Sequence, residues 1–175
     1  MSQLEAVKVI ATILASYLPT ELATRASAAG LPAQTVAQVA TGRHLESEMV
    51  GQVGVWCEGA TLESQHINGV DYYDTAIIVS ATVASAAMVD VDRLRSCWSD
   101  SIQAVVKRRF RVASSAVFFA IKRIEVLDQQ SSARTPGGIR GALGALGVLR
   151  QPPGVDHISV RFTLGQRVTS TVDIA

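Results

Sequence analysis

The chain has 175 residues, 48% of them hydrophobic and 18% charged, with a net charge of +1. That length fits one domain with a core that needs no metal or disulfide, and such apolar content at so low a net charge excludes a disordered chain. No membrane span or signal peptide is expected: the longest candidate, Thr75–Val89, is an uncharged run of 15 residues interrupted by Ser80, Thr82 and Ser85, against the roughly 20 apolar residues a spanning helix needs, and Glu5 and Lys8 interrupt the N-terminal apolar region. The expectation is a soluble, globular, intracellular protein.

In chain order, Ser2–Leu18 is predicted as an amphipathic helix, with Leu4, Val7, Ile10, Leu14, Tyr17 and Leu18 on one face. Ser2 and Glu5 have capping-box spacing. Pro19 is expected to interrupt this helix, and Gly30-Leu31-Pro32 to end a short one that follows from Thr20. Thr35–Ala40 and Met49–Cys57 are predicted strands, the second with Val53, Val55 and Cys57 on one face. Leu62–Asp71 is expected to be a loop. Tyr72–Ser85 is the clearest strand, because Ile77, Val79, Ala81 and Val83 alternate with their neighbours and β-branched residues dominate.

From Asp90 to Phe110 the period becomes helical, with Val91, Leu94, Trp98, Ile102, Val105 and Val106 forming a stripe. Asp90 suits the cap, and Lys107, Arg108 and Arg109 suit the C-terminal dipole. Phe118–Leu127 is a predicted strand with Ile124 and Val126 on the face of Phe118. Gln129–Gly154 is expected to be an extended loop, and His157–Val172 closes the chain as a strand pair or one long strand. The order implies a single α+β domain spanning residues 1–175: a mostly antiparallel sheet with helices packed on one face.

Catalytic constellations are missing. No phosphate loop, dinucleotide fingerprint, nucleophile elbow or zinc-protease helix occurs. His44, His66 and His157 are widely separated, and with Cys57 and Cys97 they lack the close ligand pairs that anchor zinc. Cys97 falls beside Trp98 on the apolar side of its helix, where a thiol behaves as a small hydrophobe; a Cys57–Cys97 disulfide is left open. The acid pairs Asp71/Asp74 and Asp90/Asp92 are explained by turn formation and capping. The expectation is a protein that is not an enzyme and uses no cofactor or metal.

Positive signals point to contact surfaces. The nine aromatics are few, and the low charge fraction suits a subunit partly covered by neighbours. Residues 1–60 carry a net charge of −2, residues 61–100 of −4 and residues 101–175 of +7, a division that suits complementary faces between copies or a nucleic-acid face. Lys107, Arg108, Arg109 and Arg111 form the densest basic cluster, a candidate partner or lumen contact beside its plainer role as a helix end. Gly138, Gly141, Gly144 and Gly147 recur every third residue among Ile139, Leu143, Leu146 and Leu149. Glycine weakens a helix by about 1 kcal/mol relative to Ala, so 137–150 is expected to be ordered by contact, either with its own domain or with a neighbouring subunit.

The N-terminal helix, the strand Asp71-Tyr-Tyr-Asp-Thr-Ala-Ile-Ile-Val-Ser-Ala-Thr-Val and the helix Val91–Arg109 together resemble the neck proteins of tailed bacteriophages, nearest the tail terminator (tail completion) group. The similarity covers about residues 1–18 and 70–127 with a closing strand near 157–170; residues 20–60 and the Gly-rich segment fall outside it. The resemblance implies a homo-oligomeric ring, usually sixfold, that caps the tail tube and joins it to the head connector. It further implies DNA passing through the lumen without sequence-specific binding, no membrane contact, and a virion location after synthesis in the host cytoplasm. The alternative from the residues alone is a small soluble α+β binding module or enzyme accessory domain.

Overall fold

The computed structural model describes residues 3–42, 50–66, 70–84, 91–110, 117–127 and 155–169. Helix α1 is one continuous element, Gln3–Ala28, and runs through Pro19. This corrects the expected break. Proline inside a helix costs about 3 kcal/mol through its missing N–H and ring clash. Here Leu14, Leu18 and Leu22 continue at i, i+4 spacing and are fully buried, with Ala26 below them. Each buried Leu is worth about 1.5–3 kcal/mol, so the face that continues past residue 19 outweighs the local penalty. The helix ends where glycine permits it: Gly30 has φ +67°, its N–H donates to the Ser27 carbonyl at 3.1 Å, and the Leu31 N–H donates to that of Ala26 at 2.8 Å. This is a Schellman cap. Leu31 turns into the core behind it.

Two residues of the expected apolar face of α1 are outside the core: Leu4 is 55% exposed and Tyr17 43%. Ala6 and Ala11 take buried places instead. Among the described residues α1 is also the helix long and apolar enough to cross a membrane, which corrects the choice of Thr75–Val89 as the longest candidate. Its buried positions pack on the sheet, and residues 70–84 are a strand.

The five-stranded sheet has the order β1-β2-β3-β5-β4, from β1 (Gln38–Thr41), β2 (Gln52–His66), β3 (Val70–Ala84), β4 (Val117–Leu127) and β5 (Val155–Thr169). Only β1 and β2 pair in parallel; β2–β3, β3–β5 and β5–β4 are antiparallel. The expected loop at 62–71 is therefore mostly strand, because β2 pairs with β3 out to His66↔Val70. The first predicted strand is reduced to residues 38–41, and the closing segment is one long strand rather than a pair. The extended loop expected at 129–154 lies outside the described residues.

Helix α2 (Val91–Arg109) and α1 both cover the same sheet face. Leu94, Trp98, Ile102 and Val106 meet Ile77, Val79, Val160 and Phe162 in one buried cluster with the α1 leucines. This is the expected α+β arrangement, with helices packed on one face. The Trp98 indole N–H donates to the Gln34 side-chain oxygen at 3.3 Å, tying α2 to the segment after α1.

Strand β4 departs from the expected pattern. An irregularity at Lys122 lets Ile121 and Ile124, three residues apart, pair with Leu164 and Phe162, both buried helix-facing positions of β5. The run from Phe118 to Val126 is therefore not one alternating face, since a bulge reverses parity beyond it. Val126 lies 49% exposed at the sheet edge.

Candidate interaction surface

Three bulge residues lie on the side of the sheet opposite α1 and α2. The β2 register skips at Glu58 and Glu63, and the β4 register skips at Lys122. All three are charged, and each is ion-paired. Arg161 of β5 donates to Glu58 at 2.6 Å and lies 3.8 Å from Glu125, whose other oxygen is 2.6 Å from Arg123. The Lys122 ammonium meets Asp74 of β3 at 2.7 Å and also Glu63 of β2. It therefore crosses over β5 to reach two strands beyond it.

Gly165 makes that crossing possible, since a Cβ there would stand 2.7 Å from Lys122 Cε and 3.3 Å from Cδ. Hydrogen bonds to Asp74, then to Glu63, hold the Lys122 pKa above its ordinary value. Within this charged frame Ile78, only 3% exposed, lies between Trp56 and Arg161 in the cross-strand register.

The predicted basic cluster sits on the opposite layer. Lys107, Arg108 and Arg109 are exposed on the last turn of α2. Two of them lean on α1: Arg108 Nη1 is 3.0 Å from Glu21 Oε2, and the Arg109 guanidinium stacks 4.4 Å from the Tyr17 ring centre. Glu21 also binds Arg25 at 2.7 Å. Lys107 has no ionic partner among the described residues. The fourth member, Arg111, lies outside the described residues, as do Ile139, Leu143, Leu146 and Leu149 of the Gly-rich segment.

Groups with catalytic potential are not brought together among the described residues. Asp71 and Asp74, three apart on β3, point to opposite sheet faces, and Asp92 is exposed at the start of α2. Asp90 and His44 lie outside the described residues. No group of three or more His, Cys, Asp or Glu side chains that could hold a metal ion forms among those described. Cys57 and Cys97 are not disulfide-linked, and burial raises both thiols above their ordinary pKa, which favours the unreactive protonated form.

Two concavities flank α2. One of about 540 Å³ lies between the end of α1 and the first half of α2, lined by Arg25, Ala28, Arg93, Cys97 and Asp100. A smaller one of about 200 Å³ lies at the other side, among Arg95, Ser99, Leu127 and His157. The first lining brings together charges of both signs, Arg25 and Arg93 with Asp92 and Asp100.

A third feature has no counterpart in the sequence expectations. Residues 58–63 of β2 are exposed at every position, on both faces of the strand. Strand β1 accompanies β2 only as far as Val55, so residues 56–66 have β3 alone as a sheet neighbour among the described residues. Leu62 is 46% exposed and pairs with Tyr73 on β3. This half of β2 is thus an edge of the sheet, whose partner stretch of β3 continues on its other side into β5 and β4. Its only sequence signal is the absence of cations between Glu58 and Asp74, against four acids.

No known protein family matches the chain, and no curated protein matches it.

Proposed function

We propose that the protein is a structural subunit of a tailed-bacteriophage neck, of the tail terminator kind. In this reading it forms a homo-oligomeric ring that caps the tail tube and joins it to the head connector, with DNA passing through the lumen. It acts by contact rather than by catalysis and resides in the virion. The observation that carries this reading is the outer half of β2: a sheet edge exposed at every position from 58 to 63 is a surface for a neighbour rather than part of a monomer's core. The pairing of every described bulge residue into surface ion pairs is in keeping with a contact protein.

Negative-stain imaging of the full-length protein, alone and with tail tubes, tests the proposal. Rings of uniform diameter, or density at tube ends, are the expected result. A molar mass by light scattering that stays at one subunit, with no decoration of tubes, would overturn it. The concavity of about 540 Å³ between α1 and α2 favours the second reading, a small soluble binding module or enzyme accessory domain. That reading requires saturable binding of a small ligand to the monomer.

A further inference from the structure

We infer that the outer half of β2 is a releasable strand, hinged at the Glu58 bulge and fastened to the sheet by Lys122. The inference concerns the single chain and goes beyond the ring reading above. Three features coincide near residue 58. Pairing with β1 ends at Thr41↔Val55, where Gly42, at φ +124°, donates its N–H to the Val55 carbonyl at 2.8 Å. The register with β3 slips between Cys57 and Gly59. Gly59 itself has no side chain to pack, and a Cβ there would meet nothing within 4 Å, so the strand is weakest at that point. Beyond it, residues 58–63 are exposed at every position, and the register slips again at Glu63. A stretch with few buried contacts and exposed backbone hydrogen bonds opens before the rest of a fold does.

The fastening comes from the far side of the sheet. Lys122 sits on β4, yet its ammonium meets Asp74 of β3 at 2.7 Å and also Glu63 of β2. Asp74 is a fixed point, because β3 is paired with β5 from Val70 to Ala84 and β5 is paired with β4. Glu63 is the loose end, and one ammonium joins the two. At the hinge, Arg161 of β5 holds Glu58 at 2.6 Å in the same manner. Exposed ion pairs are weak, which suits a fastening that opens rather than a permanent tie. The reach of Lys122 depends on Gly165, where a Cβ would stand 2.7 Å from its Cε. Gly165 pairs with Asp74 and Ala120 and not with β2. Release leaves β3 seated on β5 and bares its other edge from Val70 to Ala76.

Hydrogen exchange of the full-length protein, compared between residues 53–55 and 59–66, tests the inference. Light scattering would ensure that each variant is compared with the unaltered protein in the same oligomeric state. Lys122→Gln should speed exchange of 59–66 by about threefold or more and leave 53–55 within about twofold. Gly165→Ala should produce the same pattern with a smaller effect, although the altered residue lies two strands away from β2. Adding Glu63→Gln to Lys122→Gln should change little further, since both remove one contact. Raising NaCl from about 0.05 M to about 0.5 M should speed exchange of 59–66 more in the unaltered protein than in Lys122→Gln. If Lys122→Gln leaves 59–66 unchanged, Lys122 is no fastening. If it speeds both stretches equally, the outer half opens only with the whole sheet. Either result overturns the inference and leaves the ring reading standing.

Discussion

The two halves of β2 are one strand under opposite conditions. From Gln52 to Val55 it lies between β1 and β3 with α1 above it, and Val53, Gly54 and Val55 are buried. From Glu58 onward it has β3 as its one sheet neighbour among the described residues, and residues 58–63 are all exposed. The inner half is fixed by apolar burial, which contributes about 25 cal/mol per Å² removed from water. The outer half is fixed by the backbone ladder and by ions reaching across from β4 and β5. The same secondary structure thus arises from two causes, and only the first needs apolar side chains.

The sharpest way to separate these causes is to remove the packing over the inner region. Trp98→Ala should destabilise the protein by about 3–5 kcal/mol, since Trp98 is fully buried between α2 and the sheet. Denaturant titration would check it, and a loss below about 1 kcal/mol would remove α2 from the core.

A direct contrast lies within β2 itself. Val55→Ala should cost about 2 kcal/mol, because Val55 is fully buried. Leu62→Ala, although it deletes more carbon, should change monomer stability by no more than about 0.5 kcal/mol. Equal losses would show that the outer half of β2 is packed in the monomer and would erase the distinction.

The ionic frame of the outer half should show in alkaline titration. Lys122 has a folded pKa raised by Asp74 and Glu63. A raised pKa contributes stability that is complete below the unfolded value, about 10.4 for lysine, and is lost as pH rises through the folded one. Cys57 and Cys97, also raised, act with the same sign but begin near their unfolded value of about 8.5. In a chain with both thiols replaced by Ala, the loss of stability above about pH 10 should persist, and Lys122→Gln should abolish most of it. Gly165→Ala should act in the same direction with a smaller effect, because its Cβ would push the flexible Lys122 stem aside. A slope unchanged by Lys122→Gln would sink the assignment.

Against these differences, what a sequence can disclose becomes clear. Strand β3 and helix α2 were legible because Ile77, Val79 and Val83, and then Leu94, Trp98 and Ile102, repeat with the period of the element they form. The outer half of β2 was not legible, since Glu-Gly-Ala-Thr-Leu-Glu-Ser carries no alternation and owes its strand state to pairing with β3. Pro19 misled for a related reason: a local penalty is visible in one residue, whereas the burial of Leu22 and Ala26 that overrides it is a property of the assembled core. The basic residues of α2 were visible as a cluster, but their contacts with Glu21 and Tyr17 depend on how α1 lies against α2. The Lys122 bridge needed the register of four strands, which no single stretch of sequence encodes.

The position of β5 also sets the order in which this protein can form. The last strand in the sequence lies inside the sheet, between β3 and β4, and supplies the fully buried Val160, Phe162 and Leu164. Its partners on β3 run from Val70↔Thr169 to Ala84↔Val155, so the central pairing is distant in sequence and carries a large loop-closure cost. A growing chain can zip β2 to β3 early, but it holds an unpaired β3 edge and an unfilled core until residue 169 is available. Folding should be slow for a domain of this size, in line with the dependence of rate on contact order. A chain cut before residue 155 should expose a sticky sheet edge rather than lose a dispensable tail.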